Sequence, residues 1–451
     1  MQEEFNSTAI NISVIIPAYN SEATIAETIN SVQSQTCNNW EIVVVDDGSI
    51  DSTVALVKSM MQNDNRIRII SQPNQQLSAA RNTGIQNSKY PWLLFLDSDD
   101  WIAPEYFERV SAILKSDQDI DGVHFGWTRV TPDGRISDEK FGPSVPDLFP
   151  VLAMHCPFAI HACVIRKTLV IAAGGFDLSF KNCQDWDLWQ RIARIGARFK
   201  GVKELMAFYR MRNNSLSSDG MQFLTYAIRV VSQAHFVDDR LKHLDLLHPM
   251  GEPAALLPTR KLFIATWIAG LLIGNGQSAV NILSHLSFVG DSSLDPNTIA
   301  EIIFDSAIIS SRDTPSNWYL LYPKIETHLI EFLHKIETHS QAKELAKRSI
   351  LILEKMILQN ANFDEAISVG SYHAVCIEIT EKIKDIHVDN DKAERLFCVV
   401  KLEGKELGRI ELPICDKLVS QRVLKDVIAA QFAWQILGRF FETRSILKHN
   451  R

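Results

Sequence analysis

The chain has 451 residues, of which 46% are hydrophobic and 22% charged, proportions that argue against extended disorder; its length implies two or three domains. A formal net charge of -8 disfavours a general nucleic-acid binder, which needs clustered positive charge against phosphate. The seven cysteines form no C-x-x-C pair, which indicates neither a zinc ribbon nor a thioredoxin-type site, and an odd number of scattered thiols fits a cytoplasmic protein. The opening MQEEFNSTAINIS lacks the basic start and apolar core of a signal peptide. The longest apolar stretch, Leu262 to Gly274, falls short of the roughly 20 residues a bilayer span takes and is read as a buried helix.

The first 130 residues alternate strand-like and helix-like patterns, as βαβ units do. Residues 12–17 (ISVIIP) are a buried strand closed by proline, and Ser21 is a candidate cap for the next helix, with Glu22 in its first turn. Residues 41–45 (EIVVV) make a second strand that stops at Asp46-Asp47-Gly48-Ser49. Asp51 then caps a helix carrying Val54, Val57 and Met61 at helical spacing. A strand at 66–70, a helix at 77–87 and a strand at 92–96 lead into Asp97-Ser98-Asp99-Asp100, after which Pro104 opens a helix. Residues 122–130 read as a strand before a turn at Thr131-Pro132-Asp133-Gly134. Gly174-Gly175-Phe176-Asp177 breaks the chain ahead of a helix from about Asp185, and a strand at 205–210 precedes the polar segment 213–220, a domain boundary. Residues 221–360 are helical with breaks at prolines. Beyond them, strands at 372–380, 396–402 and 407–412, the last two a hairpin, precede a terminal helix at 420–441.

The chemistry lies in two acidic loops at the carboxyl ends of parallel strands, where open α/β sheets collect ligands. Asp46-Asp47 ends one strand and Asp97-Ser98-Asp99-Asp100 the other. Carboxylates gathered in one cleft repel unless something positive compensates, and their hard oxygens suit Mg²⁺ or Mn²⁺, which in turn bind phosphate. Either loop alone is better read as a solvated turn. The two together favour a diphosphate bridged to a cation.

The runs VIIPAYN (14–20), VVVDDGSIDST (43–53), LSAARNTGI (77–85), FLDSDDWIAP (95–104), GGFD (174–177) and QDWDLWQRIA (184–193) stand in the order found in glycosyltransferase family 2, which residues 10–218 resemble. The resemblance implies a GT-A type fold, a doubly wound mixed α/β sheet flanked by helices. It also implies inverting, metal-dependent transfer of a sugar from a nucleotide diphosphate, a UDP-sugar above all, to an acceptor hydroxyl in surface polysaccharide or glycan synthesis. In that family's pattern Pro17, Tyr19 and Asp47 hold the nucleotide, Asp47 at the base edge with Asp46 orienting its loop, and Arg81 lies near base and diphosphate. Asp97 and Asp99 match the D-x-D pair, Asp99 on the metal directly and Asp97 through the ribose or a water. Asp185 matches the general base, a task that needs partial burial with few competing partners. Simpler readings stand beside these: Arg81 in a helix-surface ion pair, Asp100 capping the next helix, Asp185 as an N-cap, Asp187 structural, and Trp186 and Trp189 as core and not sugar-stacking rings. Within Ala159 to Arg166, where the family shapes its acceptor pocket, His161 is read as packed before it is read as touching a sugar.

Two departures from the family matter. Gln184 stands where glutamate usually precedes the base. Tyr209-Arg210-Met211-Arg212-Asn213 replaces a Y-R-x-H run whose histidine can ligate the metal; Arg212, permanently protonated, cannot, and is expected to bind the diphosphate instead. The expected domains are 1–218, catalytic; 219–360, mainly helical; and 361–451, a small α+β accessory module. Expected partners are the nucleotide-sugar donor and a saccharide, lipid-linked or protein acceptor, without nucleic acid, with Mn²⁺ or Mg²⁺ as cofactor. The expected place is the cytoplasm, including its membrane face through peripheral association. The rival readings are a non-catalytic sugar- or nucleotide-binding scaffold of the same fold, and a nucleotidyltransferase, which would need a Gly-rich basic phosphate loop where this chain has PAYNSEA. A dehydrogenase is disfavoured because no G-x-G-x-x-G follows the first strand.

Overall fold

The structure, a computed structural model, describes residues 10–211, 220–242, 246–286, 294–360, 371–390 and 393–449, with side chains described except at 137, 138, 285, 371, 394 and 440–449. Largely apolar runs of four to seven residues form the first strands. In chain order these open as β1 (Ile12–Ala18), α1 (Ile25–Gln33), β2 (Trp40–Asp46), α2 (Thr53–Met61), β3 (Ile67–Ser71), α3 (Gln76–Asn87) and β4 (Trp92–Phe95). The chain continues through β5 (Trp101–Ile102), α4 (Tyr106–Ser116), β6 (Gly122–Val130), β7 (Ile136–Lys140), α5 (Phe149–Leu152), β8 (Cys163–Arg166), α6 (Lys167–Ala172), α7 (Gln184–Arg194) and β9 (Phe199–Arg210). All nine strands form one mixed sheet in the order β3-β2-β1-β4-β8-β6-β9-β5, with β7 on β6. The first four run parallel, β8 is antiparallel between β4 and β6, β9 is parallel to β6, and β5 closes antiparallel to β9. This is the mixed α/β sheet expected from the resemblance.

Every residue of β1 and β2 is buried, as in strands covered on both faces. The helix α3 lies against β1 and β2 at unusually close range: a Cβ at Gly84 would overlap the Ile15 side chain. Three strands of this sheet escape a reading of the sequence. β5 has two residues, β7 follows a turn without apolar alternation, and β8 is four residues inside a run read as pocket wall. Ser21 is no helix cap, because α1 starts four residues later. Its hydroxyl instead meets that of Ser98 at 2.7 Å, joining the loops after β1 and β4. Asp51 does accept the Thr53 N–H at 3.0 Å, and its other oxygen takes the Glu22 N–H at 3.0 Å.

The chain divides into two compact units, residues 1–346 and 347–451. The first continues past the sheet through α8 (Gly220–Gln233), α9 (Leu257–Gly274), α10 (Pro296–Ser311) and α11 (Trp318–Ser340). α9 is apolar nearly all round and packs against α8, α10 and α11. With its short lead-in from Ala254 it is long and apolar enough to cross a membrane by length and composition, yet half of that window is buried inside the protein. Two of its glycines set its distance from α10. A Cβ at Gly270 would overlap Ser306, and one at Gly274 would overlap the Ala307 carbonyl oxygen.

In the second unit, α12 (Leu345–Asn360) begins at the boundary, followed by β10 (Ser371–Glu378), β11 (Ile386–His387), β12 (Ala393–Leu402), β13 (Lys405–Pro413), β14 (Leu418–Val419) and α13 (Gln421–His449). β10 pairs parallel to β12, and β12 forms a hairpin with β13 around Glu403 and Gly404, both at positive φ. Alternate residues Leu396, Cys398 and Val400 of β12 turn inward to meet Leu424, Ile428 and Phe432, spaced four apart on α13.

The glycine contact on α9 is testable. Gly274→Ala gains about 1 kcal/mol of helix propensity, but a backbone oxygen cannot rotate out of the way, and forcing the helices apart costs roughly 1–3 kcal/mol or more. Chemical denaturation should therefore show a net destabilisation, up to about 2 kcal/mol.

Candidate active site

The carboxyl ends of β1, β2 and β4 open into one cavity of about 1240 Å³. Pro17 and Tyr19 line it from the end of β1, Asp47 from the end of β2 and Arg81 from α3. Asp97 and Asp99 join them from the loop after β4, and Asp185 from the first turn of α7. The structure thus gathers these seven predicted residues around one space. Arg212 lies outside the described residues.

Each is held by a specific local device. Asp46 accepts the Ser49 N–H at 3.0 Å and closes the turn that Gly48, at φ +85°, makes sterically feasible. The buried Asp47 takes the Gln72 side-chain amide at 2.8 Å and the Gln75 N–H at 2.9 Å on one oxygen, leaving the other toward the cavity it lines. Arg81 is not a surface residue: it is 3% exposed, donates to Asp97 at 2.7 Å and lies 5.2 Å from the centre of the Phe176 ring. That ring is fixed by Asn82, which accepts the Phe176 N–H and donates to its carbonyl, both at 2.8 Å. The glycines of the GGFD run serve this contact, since both have positive φ and a Cβ at Gly175 would press on Asn82.

The acidic loop after β4 splits its residues between two faces. Asp97 keeps 28% of its side chain exposed beside Arg81. Asp100, expected as a helix cap, is instead turned inward and buried. It accepts the Arg210 N–H at 2.8 Å, and its second oxygen lies 3.2 Å from His161 Nδ1, while α4 starts only at Tyr106. Arg210 also donates to the Asp99 carbonyl at 2.9 Å, tying the loop to β9. Tyr209 sits among these carboxylates; burial, then the charges of Asp100, Asp99 and Asp97, push its phenol well up. His161 is fully buried and packed, in line with its simpler reading, and burial brings its pKa down to about 4. His124 on β6 is likewise buried, stacked 4.7 Å from Phe158 in a cage where Cβ atoms at Gly142 and Gly201 would touch its ring, and its pKa is also about 4.

Asp185 is half-buried behind Cys183, whose φ of 58° turns the chain into α7. Burial raises its carboxyl pKa and Asp97 adds to this, while Arg81 and the Trp186 N–H pull it back. Its oxygen accepts the N–H of the next residue in the helix at 2.9 Å, and the side chain lines the cavity. Asp187 is fully buried, paired with Arg191 at 2.7 Å and Arg240 at 2.9 Å, a structural role. Trp189 is core, and Trp186 is pinned by its indole N–H to the Leu152 carbonyl at 2.6 Å. Sequence reasoning gives no role to Asn82 or Tyr209, although both stand in runs that match the family, and misses Arg240, which stands in none. It also misses the α8–α10 side chains on the cavity wall, whose only signal is helical periodicity.

Residues 13–171 match the family described as Glycosyl transferase family 2. The chain is 30% identical over 213 residues to the Escherichia coli UDP-Glc:alpha-D-GlcNAc-diphosphoundecaprenol beta-1,3-glucosyltransferase WfgD, covering 46% of this chain and 80% of that protein. The chain belongs to glycosyltransferase family 2. It is also 46% identical over 282 residues to Glycosyltransferase GlyA of Streptococcus pneumoniae, covering 59% of this chain and 38% of that protein. Chondroitin synthase of Pasteurella multocida is 26% identical over 194 residues, covering 43% of this chain and 20% of that protein. The chain therefore spans well under half the length of these last two relatives.

Members of this family commonly use a divalent metal, and the donor set can be tested against that. Among the described residues no three His, Cys, Asp or Glu side chains form a metal-holding group. Asp97 and Asp99 are two hard carboxylates on one loop at the cavity, with Asp100 committed inward. A pair of carboxylates fits a small cation that completes its shell with substrate phosphates and water, as Mg²⁺ characteristically does.

The two buried histidines give a pH signature. Their folded pKa of about 4 lies below the ordinary 6.5, so the unfolded chain binds protons that the native state refuses. Stability should be undiminished above pH 6.5, decline as pH falls toward 4, and level off in this contribution below it. Denaturation from pH 7 to 4 measures this, and His124→Asn should reduce the slope by the share of one titrating group.

Proposed function

We propose that the chain is an inverting glycosyltransferase that moves a sugar from a UDP-sugar to an acceptor hydroxyl in polysaccharide or glycan synthesis. The observation that carries the reading is the meeting of Asp47, Asp99 and Asp185, from three distant stretches, around one cavity with Arg81 between Asp97 and Asp185. Two relatives support the choice of donor and product class. The E. coli relative's name gives UDP-Glc as donor and a diphosphoundecaprenol-linked GlcNAc as acceptor, and the Pasteurella relative is named as a polysaccharide synthase.

On this reading Pro17 and Tyr19 hold the nucleotide, and the open oxygen of Asp47 accepts the uracil N3–H. Asp97 and Asp99 would hold Mn²⁺ or Mg²⁺, which when bound supplies neutralising charge for the diphosphate. Arg212 contributes a further cation toward the diphosphate. Asp185 takes the proton of the acceptor hydroxyl as that oxygen attacks C1 from the face opposite the diphosphate. The new C1–O bond forms while the C1–O bond to phosphate breaks, and its electron pair leaves with UDP. Residues 1–218 are the catalytic domain in this assignment, 219–360 a helical region and 361–451 an accessory module. We place the protein in the cytoplasm, including the membrane's inner face, a reading supported by its seven free cysteines.

UDP release tests the assignment. The parent protein should release UDP slowly from a UDP-sugar and faster with acceptor; release from none of the common UDP-sugars would leave a scaffold. Asp185→Asn should lower transfer by roughly 10²–10⁴-fold with donor binding retained, as expected for a lost general base. Asp185 must be ionised to act, so activity should fall on the acid side at a pH above the ordinary carboxyl value of 3.8. Arg81→Gln removes the positive charge that opposes the shift, and should move that acid limb to higher pH.

A further inference from the structure

A pocket for one small ligand occupies about 300–1,000 Å³. This cavity, at about 1240 Å³, continues past Asp185 along the helices α8, α9 and α10, a wall outside the family match. A continuous path of contacts leads there. Asn182, three residues before Asp185, donates to Gln222 on α8 at 3.0 Å. Beside Gln222, the Phe223 ring lies 5.6 Å from Trp267 on α9. Both rings are half-buried and line the cavity. The cavity is also lined from α10 by the exposed Glu301 and, one turn on, Asp305, bound at 2.9 Å to Lys140 of β7. That ion pair joins the sheet to the helices at the cavity's edge.

We infer that this wall is the acceptor subsite and that it takes a pyranoside, with the ring stacked on Trp267 and its hydroxyls donating to Glu301. The inference rests on the transferase reading above. A pyranose has an apolar C–H face and a rim of hydroxyl donors, so it calls for a flat aromatic surface flanked by carboxylates and amides. A prenyl chain would set apolar carbon against the Glu301 carboxylate, which a pyranoside's hydroxyls match. The subsite begins next to the loop that leads into Asp185, which brings a bound sugar's hydroxyl to the group that takes its proton.

The test uses the full chain with whichever UDP-sugar it hydrolyses, and three kinds of acceptor: p-nitrophenyl pyranosides, a serine- and threonine-containing peptide, and a polyprenyl phosphate. At least one pyranoside should accelerate UDP release. Trp267→Ala should raise its KM by roughly tenfold or more, with donor KM changed by less than about twofold, as for a lost acceptor contact alone. Trp267→Phe, which keeps a ring, should lie between, and Glu301→Gln at the exposed wall should raise KM with no change in melting temperature. Should Trp267→Ala fail to fold, the Phe and Gln variants decide by the same split. Acceleration by the peptide or polyprenyl phosphate alone, by no pyranoside, or an unchanged pyranoside KM in the variants overturns the inference. Failure of the parent to hydrolyse any donor is a different result and strikes the transferase reading itself.

Discussion

Three carboxylates cannot share a cleft unless a cation lies between them, and in this protein the resident one is Arg81. The Asp97 charge disfavours the ionised form of Asp185, and Arg81 opposes it. The guanidinium is buried, bonded to one of them and near enough to the other to lower its pKa. Much of the local architecture positions that one group. Gly84, one turn along α3, lets the helix settle onto β1, and Asn82 holds the Phe176 ring that the guanidinium faces. Asp185 consequently stays poised between burial, which favours its neutral form, and a nearby positive charge, which favours the ionised form. That balance is what a general base needs.

The loops at the strand ends are laced to each other more than to their own elements. Asn20 takes the Ile50 N–H, its own N–H goes to Ser49, Glu22 takes the Ser52 N–H, and the Ser21 and Ser98 hydroxyls meet. Arg210 reaches from β9 to both Asp99 and Asp100. Backbone donors that a strand end would otherwise leave to water are thus satisfied by side chains of the neighbouring loop. The cavity rim is preorganised, so a charged ligand meets dipoles already in place. The helical wall is built on another rule, close backbone approach, with Gly270 and Gly274 setting how near α9 stands to α10.

Much of the strand-end chemistry is legible in the amino-acid order. An apolar run ending in aspartate marks both a buried strand and the functional end of a parallel sheet, which singles out Asp47, Asp97 and Asp99 by position; Asp185 stands out through the motif around it. The glycines of GGFD are visible as a break, but the room that Gly175 leaves for Asn82 is not. Strands β5 and β8 carry too few residues for a period of two to register. Helices α8 to α10 are visible as helices, yet periodicity does not say which side chains face a cavity.

The sequence by itself determined the alternating strands and helices up to β4, the acidic strand ends and the family, because those reside in local patterns of apolar and charged residues. Tertiary structure alone decided the roles within them. Asp99 and Asp100 are adjacent and chemically identical, yet β9 and His161 hold Asp100 buried while Asp99 stays half-exposed at the cavity. Arg81, legible either as a surface ion pair or as a site residue, became the hub because α3 packs it among groups 16 and about 100 residues away. Burial and charge–charge distance set what an ionisable group does, and both are fixed by contacts between residues far apart in the chain.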